Sequence, residues 1–508
     1  MARRWQAVSQ VPGEARCRQA RRWASPMSGR TGTGASANSK AMVQDYGAGR
    51  RQVRSGCPSE TGFPRGTLLL VTAETVHEPA DPPLGGPRRI GRMGEREFTV
   101  MVAMTMALTA LAIDSILPAF GAIRQDFGLA ADSTAAAQIV TFFFLGLASG
   151  QWIYGPMADH FGRKAVLYTG MTIYALGAVF SALAPTLGWV LVGRFIWGLG
   201  GAGTRVVALA IVRDVYEGDR MARTMSFIMS IFIIVPVLAP GIGSLIISVF
   251  PWQGVFWFCA LLVVLLALWS RRLPETSDPA LRIELRFTPV LAAARQVVGN
   301  RITMGYTIAA TLLFGSFLSY LASSELIVED IYDRASLFPL IFGANAALMG
   351  LATFSNASVV RRFGAHRVTH VAMVAYPLVA LGFVILGRST DGAPVLPALM
   401  AILALLLGLN AILMPNMNSI AMEPMGDVAG MASAVIGTVS MAGGALLGSA
   451  LDRAFDGTVN PLASGFLALS LAALGVLAWA ERWRLAIFAG RGANIPLEVV
   501  EDGRGVPS

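Results

Sequence analysis

Two charged residues, Asp114 and Arg194, each lie inside a long stretch that is otherwise apolar, in TALAIDSILP and VLVGRFIWG. A charge in such a stretch is costly, so it faces a cavity or a partner and often marks a proton pathway. Both lie about 9–10 Å from the same end of their stretches, at 1.5 Å per helical residue. We therefore predict that they form a proton-coupling pair. Two points stay open: Asp114 can instead be an acid at a helix end, and Arg205, which shares a helix face with Arg194, has no assigned role.

A second group of residues with chemical potential occupies the ten-residue segment GPMADHFGRK, residues 155–164, between two apolar stretches. Glycines permit a tight turn there, Asp159 can cap a helix or pair with a basic group across a gate, and adjacent cations anchor one side of a membrane. The alternative is a loop that only anchors topology. We predict a water-facing turn that acts as a conformational latch and uses Gly155, Asp159, Gly162, Arg163 and Lys164.

The composition indicates that membrane-spanning helices position these residues. The 508-residue chain is 54% hydrophobic and 14% charged, which is too apolar for an ordinary soluble protein. A membrane-spanning helix needs about 20 mostly apolar residues, and such stretches recur through most of the chain. We predict twelve spans, at 98–120, 134–155, 165–184, 187–211, 223–249, 252–269, 302–324, 337–359, 369–388, 394–416, 427–450 and 459–481.

The spans fall into two similar halves. The pair Phe161-Gly162 after span 2 recurs as Phe363-Gly364 after span 8. We predict an all-α membrane protein built from two parallel six-helix bundles. Its first segment, 1–92, is a disordered amino-terminal extension, which either lies upstream of the true start or is a targeting or regulatory arm. The other segments are a first bundle (93–269), a cytoplasmic central loop with an amphipathic helix at Phe287–Val298 (270–301), a second bundle (302–484) and a cytoplasmic tail (485–508). Arginines crowd the even-to-odd loops, which predicts that both termini are cytoplasmic.

Span 5 carries VPVLAPGIG, in which prolines remove helix hydrogen bonds and glycines admit a neighbouring helix. The residues concerned are Pro236, Pro240, Gly241 and Gly243. In span 4, GLGGAG formally matches a dinucleotide-binding fingerprint, but no strand precedes it, so close helix packing is the better interpretation.

Several other chemistries find no support in the sequence. The three cysteines are widely scattered, and His366 and His370 lack an acidic third ligand, so we expect no metal site and place both histidines in a loop. The net charge of +9 arises from residues 1–92, so the folded part has no basic surplus for nucleic acid. Phosphate-binding-loop, zinc-protease and serine-hydrolase motifs are also missing.

The segment 155–164 resembles the G-x-x-x-D-x-x-G-R-[KR] loop between helices 2 and 3 of the major facilitator superfamily. Four further features look like the Bcr/CflA drug-resistance transporters: Asp114 to Pro118, Arg213-Asp214, Ala239-Pro240 and the segment 422–430. The APGIG part of span 5 partly matches the antiporter signature G-P-x-x-G-G, with Ala239 and Ser244 in place of two glycines.

This resemblance implies a monomeric antiporter of the bacterial inner membrane that exports antibiotics and related small amphipathic molecules by alternating access. A proton gradient is its expected energy source, and no cofactor is expected. Candidate contacts in its substrate cavity are Phe142, Trp197, Phe232, Asn345 and Asn410. One alternative is a major facilitator exporter of an endogenous sugar or amino acid. Another, of a different class, is a membrane-embedded enzyme or a nonconducting receptor.

Overall fold

The computed structural model describes residues 93–130, 132–277 and 288–483, and these ranges contain helices and no strand. The proposed extension 1–92 and tail 485–508 lie outside the described residues. Within these ranges, twelve long helices follow one another: α1 Glu95–Asp114, α2 Gln138–Phe161, α3 Arg163–Ala182, α4 Leu187–Val215, α5 Gly218–Ile247, α6 Gln253–Trp269, α7 Arg301–Leu326, α8 Phe338–Phe363, α9 Ala365–Ser389, α10 Leu396–Met422, α11 Ala429–Asp452 and α12 Asn460–Ala480.

Eleven of these helices, within the described ranges, are long and apolar enough to cross a membrane. The exception is α2, which has 24 residues and includes Gln138 and Gln151. Since water is absent from hydrocarbon, each helix must satisfy its own backbone hydrogen bonds, and this is why spanning segments are helical. The predicted all-α membrane fold is confirmed.

The first span differs from its prediction at its outer end. Helix α1 ends at Asp114, and a 3₁₀ turn at Leu117–Ala119 then leads into a short helix at Phe120–Asp126. Pro118 lies at the start of the 3₁₀ turn and has no amide hydrogen to donate. Asp114 therefore ends a helix instead of lying six residues inside one, although it is only 6% exposed.

The predicted ten-residue turn at 155–164 is wrong in extent. Helix α2 continues through Phe161, and α3 begins at Arg163, so Gly162 alone joins them, with φ of 97°. Gly364 joins α8 to α9 in the same way, with φ of 83°. Only glycine adopts such angles without strain. The shared geometry supports the repeat that the sequence predicts.

The helices pack as two groups, α1–α6 and α7–α12, which meet along α2 with α11 and along α5 with α8. Helix α4 lies at the centre of the first group, against α2 and α3. A methyl group at Gly198 would collide with the carbonyl oxygen of Phe143, and one at Gly200 with the amide of Tyr174. The small residues of GLGGAG therefore serve close packing.

The segment between the two groups contains a helix at Thr288–Gly299, one residue from its predicted position, and residues 278–287 lie outside the described part. This helix contacts α7 and α11.

Candidate functional site

Asp114 ends α1 at the point where α1 meets α5. A methyl group at Gly243 of α5 would collide with the carbonyl oxygen of Ser115, so α5 lies directly against the backbone beside Asp114. Within the described residues, no side chain or amide donates a hydrogen bond to its carboxyl group, and no cation pairs with it. Tyr320 of α7 lies near enough to interact with it electrostatically. The site is thus a buried acid without a cationic partner, facing the second bundle.

Arg194 does not form the predicted pair with Asp114. Its guanidinium donates to the carbonyl oxygens of Ala112, at 3.0 Å, and Ile139, at 3.2 Å. It also lies over the rings of Phe143 and Trp197, 4.5 and 4.7 Å from their centroids. Carbonyl dipoles and ring faces stabilise a buried guanidinium without a carboxylate.

The two residues nevertheless lie at equal depth, as predicted, although Asp114 is at the end of α1 and not about 9–10 Å inside it. The guanidinium of Arg194 reaches the carbonyl of Ala112, two residues before Asp114, so the two side chains lie at the same level of the bundle. The two backbone carbonyl groups and the two aromatic rings stabilise the guanidinium, where a carboxylate was predicted to do so. The geometry gives Arg194 a structural role that ties α4 to α1 and α2.

Arg163 forms the centre of a polar network at the other end of the first bundle. Its guanidinium pairs with Asp159, at 2.5 Å, and with Asp214 at the end of α4, at 2.9 Å. Asp159 therefore binds a cation of its own bundle, four residues away, and in this structure it makes no described ion pair across the gate. The network joins the ends of α2, α3 and α4.

Glu275 covers the start of α3. Its carboxylate accepts hydrogen bonds from the backbone amides of Arg163, at 2.9 Å, and Lys164, at 3.1 Å. Burial alone would raise the pKa of Glu275, but hydrogen bonds from Ser277 and from these two amides outweigh it and lower the pKa. An anion at a helix N-terminus also interacts favourably with the helix dipole.

An ionic contact joins the two bundles at the end of the protein opposite Arg163, and the sequence did not reveal it. Arg124, in the short helix that follows α1, pairs with Glu325 at the end of α7, at 3.0 Å, and with Glu329 just beyond it, at 2.7 Å. The amide of Gly121 also donates to Glu325, at 3.0 Å. We call Gly121, Arg124, Glu325 and Glu329 the inter-bundle clasp. The sequence feature that could have predicted this contact is an acidic residue just past span 7 together with a basic residue just past span 1.

Contacts between the bundles continue at mid-depth. The hydroxyl of Thr438 donates to the carbonyl of Ala148 at 3.0 Å, and the rings of Phe144 and Phe314 lie 5.6 Å apart. On the other side, a methyl group at Gly343 of α8 would lie 3.0 Å from the carbonyl oxygen of Val237 of α5. The bundles are therefore joined at the end that holds the inter-bundle clasp and in the middle.

The predicted prolines and glycines of α5 differ in burial and in their role in packing. Pro236 and Pro240 both lie inside the helix, and Pro240 and Gly243 are buried. Gly243 permits the close approach to α1, whereas nothing lies within 4 Å of a methyl group built on Gly241. Only Gly243 is required for packing here.

The five candidate cavity residues do not come together. Trp197 is fully buried among aromatic rings of the first bundle, so its placement in a cavity is wrong. Asn410 is enclosed too, and it donates to the carbonyl of Leu313. Phe142 and Phe232 are partly exposed, and Phe232 lies 5.9 Å from the guanidinium of Arg205.

Asn345 is the candidate that lies beside a cavity and, through Tyr320, near Asp114. Its amide contacts the hydroxyl of Tyr320 at 3.2 Å, beside a small cavity of about 20 Å³ between α7, α8 and α10. Because Tyr320 also interacts with Asp114, this polar pair connects the second bundle to the buried acid.

The two histidines lie on helix α9 and not in a loop, so that prediction is wrong. His370 is buried and contacts the hydroxyl of Tyr306 at 3.0 Å, and this hydroxyl donates to Glu481 at 2.7 Å. Burial would raise the pKa of Glu481, but hydrogen bonds from His370 and Tyr306 lower it. This network joins the ends of α7, α9 and α12.

Comparison with known proteins decides the family. The model of the Major Facilitator Superfamily matches residues 102–448, which is more than half of the chain. The chain belongs to the major facilitator superfamily. It is 27% identical over 376 residues to the bicyclomycin resistance protein homolog of Haemophilus influenzae, a match that covers 73% of this chain and 93% of that protein.

Other relatives agree with this assignment. The multidrug resistance protein MdtL of Shigella flexneri is 33% identical over 210 residues, covering 40% of this chain and 52% of that protein. Among solved structures, the xylose transporter XylE from E. coli superposes with a TM-score of 0.60 at 13% identity, covering 76% of this chain and 97% of that one. At that identity the likeness shows the fold alone. Both the family and the fold are those of multi-pass membrane transporters of small molecules.

Proposed function

We propose that the protein exports antibiotics and related small amphipathic molecules across the bacterial inner membrane in exchange for protons. The observation that carries the proton coupling is Asp114, a buried acid with no described cationic partner, at the contact between α1 and α5. An intramembrane carboxyl group of this kind is a functional site by default. The names of the bicyclomycin resistance and MdtL relatives support the substrate class.

The arrangement of contacts supports alternating access. The inter-bundle clasp holds the two bundles together beyond the end of α1 that carries Asp114, and the mid-depth contacts join them on the other side of Asp114. Rocking of the bundles would break the clasp and connect Asp114 to the outside. A proton bound there removes the negative charge, and this change would couple to substrate affinity through Tyr320 of the second bundle, which interacts electrostatically with the acid and accepts a hydrogen bond from Asn345.

The distribution of arginines supports an orientation with both termini in the cytoplasm, which makes the clasp periplasmic and the Arg163 network cytoplasmic. In this orientation, Arg163 keeps the inner ends of α2, α3 and α4 together as one unit. That unit would act as the latch by meeting the second bundle when the inner side closes. A single chain contains the whole pathway, so the proposed unit is a monomer, and the proton gradient is its energy source without a cofactor or catalytic step.

Drug susceptibility of an efflux-deficient bacterium that expresses the full chain tests this proposal. The panel contains phenicols, bicyclomycin-like compounds, sulfonamides and cationic dyes. Asp114→Asn should abolish resistance, whereas Asp391→Asn, the same change at an exposed acid between α9 and α10, should retain it. Membrane levels of all forms are matched by immunoblot.

Two results would contradict the proposal in different ways. Uphill export by Asp114→Asn in proteoliposomes with an imposed pH gradient would remove Asp114 from proton coupling. Failure of the parent protein to protect against any compound, at normal membrane levels, would instead favour an exporter of an endogenous metabolite.

A further inference from the structure

A long groove runs between α3 and α6 on the outer surface of the first bundle, away from the contacts between the bundles. Its volume is about 610 Å³. Buried Met171 and Val263 form part of its floor, while Leu176, Val264 and Leu268 line it and are 61%, 46% and 54% exposed. Since α3 and α6 are both long and apolar enough to span a membrane, these exposed side chains face lipid.

Two cations lie at one end of this groove, Lys164 at the start of α3 and Arg271 just after α6. The ammonium of Lys164 donates to the carbonyl oxygens of Arg271, at 3.1 Å, and Leu273, at 2.6 Å, which leaves its third proton for another acceptor. Arg271 is exposed, and no described carboxylate pairs with it, whereas its neighbour Arg272 pairs with Glu97 at 2.7 Å.

The acidic residue next to these cations, Glu275, already accepts hydrogen bonds from backbone amides. Glu275 accepts hydrogen bonds from the amides of Arg163 and Lys164, so it satisfies the start of α3 and not the two side chains. The cationic end of the groove therefore lacks an anion of comparable strength from the described part of the chain.

The length of the groove matches one leaflet. From Lys164 to Leu176, α3 rises about 18 Å, at 1.5 Å per residue. Half of the hydrocarbon core of a bilayer is about 15 Å. An acyl chain that starts at the cationic end would thus reach the middle of the membrane at the far end of the groove.

We propose that this groove binds an anionic phospholipid, with its phosphate between Lys164 and Arg271 and one acyl chain lying between α3 and α6. Charge complementarity selects the headgroup, because a basic side chain near an anionic membrane surface contributes about fivefold in affinity. The cytoplasmic leaflet is the source of this lipid, a detail that rests on the orientation proposed above. The binding itself does not depend on what the protein transports.

Occupation of the groove has a consequence for the proposed latch. Lys164 follows Arg163 directly, and Arg163 holds Asp159 and Asp214. A phosphate on Lys164 would therefore add a negative charge beside this network, so the lipid composition of the membrane would affect it.

Native mass spectrometry of the delipidated full-length protein tests the proposal. The protein is titrated with phosphatidylglycerol and with phosphatidylcholine of the same acyl chains. We expect tighter binding of phosphatidylglycerol. Arg271→Gln should weaken that binding about fivefold without changing phosphatidylcholine binding, and Arg271→Lys should restore most of it. Arg223→Gln, which removes an exposed arginine from α5 outside the groove, is the matched control and should bind as the parent does.

A second variant tests the acyl-chain part. Ala175→Trp fills the groove while leaving both cations in place, so it should also reduce phosphatidylglycerol binding. Equal binding of the two lipids to the parent, or equal losses in Arg271→Gln and Arg223→Gln, would overturn the proposal. A dimer that forms without any lipid preference would assign the groove to a second copy of the chain and would overturn it too.

Discussion

Removal of the Arg124 side chain should separate the two bundles at the inter-bundle clasp, at the mouth between the end of α1 and the end of α7. In the closed structure, the side chains of Arg124 and Glu325 are each 5% exposed, whereas that of Glu329 is 36% exposed. Arg124→Gln leaves the carboxylate of Glu325 buried without its cation, and loss of one partner of a buried pair costs about 3–5 kcal/mol. Opening hydrates Glu325 and relieves this cost. The population of open over closed protein should therefore rise about 100-fold, which corresponds to about 3 kcal/mol.

Two further variants distinguish this reasoning from a general loosening of the mouth. Glu329→Gln removes a partly exposed partner, and such pairs contribute less than about 1 kcal/mol, so its effect should be small. The double variant Arg124→Gln/Glu325→Gln removes both buried charges and should restore most of the closed population.

The equilibrium can be read from spin-label distances across the mouth. Gln125→Cys and Ser336→Cys place labels on exposed positions of the two bundles, and Cys17→Ser and Cys57→Ser remove other thiols, while Cys259 is buried. Double electron–electron resonance in nanodiscs then gives the two populations. A shift by Glu329→Gln as large as that by Arg124→Gln, or no recovery in the double variant, would refute the argument.

Two other predictions concern stability, measured as the melting temperature of the purified protein. Gly162→Ala forces a non-glycine residue to φ of 97° and should cost about 1–3 kcal/mol, whereas Gly155→Ala, with free space inside α2, should cost nothing. Equal losses at the two sites would contradict the geometry. Glu481→Gln should destabilise the protein at pH 7, because a lowered pKa in the folded state contributes stability above its ordinary value of 4.5 that is lost as the pH falls through the folded pKa. The difference from the parent should therefore shrink below pH 4.5, and a constant difference would count against the hydrogen bonds from His370 and Tyr306 as its cause.

Much of the fold was predictable because membrane spans have a simple physical signature. A run of about 20 apolar residues is a strong signal, and the repeated Phe-Gly pair gave the relation between the halves. The same glycines explain the error at residues 155–164. A single residue with positive φ turns the chain as sharply as a longer loop would, so the helices can extend almost to meet each other.

The site was harder to predict because its contacts depend on residues far apart in the chain. Arg124 and Glu325 are 201 residues apart, and each looks alone like an ordinary surface charge. For Arg194, the predicted level in the bundle agrees with the structure but the predicted partner does not. Backbone carbonyls and aromatic rings surround its guanidinium, and no local sequence pattern identifies them as its partners. The buried position of His370 could not be predicted because its partners Tyr306 and Glu481 lie in α7 and just after α12, far away in the chain.

The position of Arg194 also has a consequence for biogenesis. The carbonyl of Ala112 belongs to the last turn of α1, where helix carbonyls have no partner within their own helix, and Arg194 supplies its hydrogen bond. Arg194 is synthesised 82 residues after Ala112, so this carbonyl lacks the guanidinium until α4 is made. The first three helices are thus an incomplete assembly, and the fourth completes the hydrogen bonds at the end of the first.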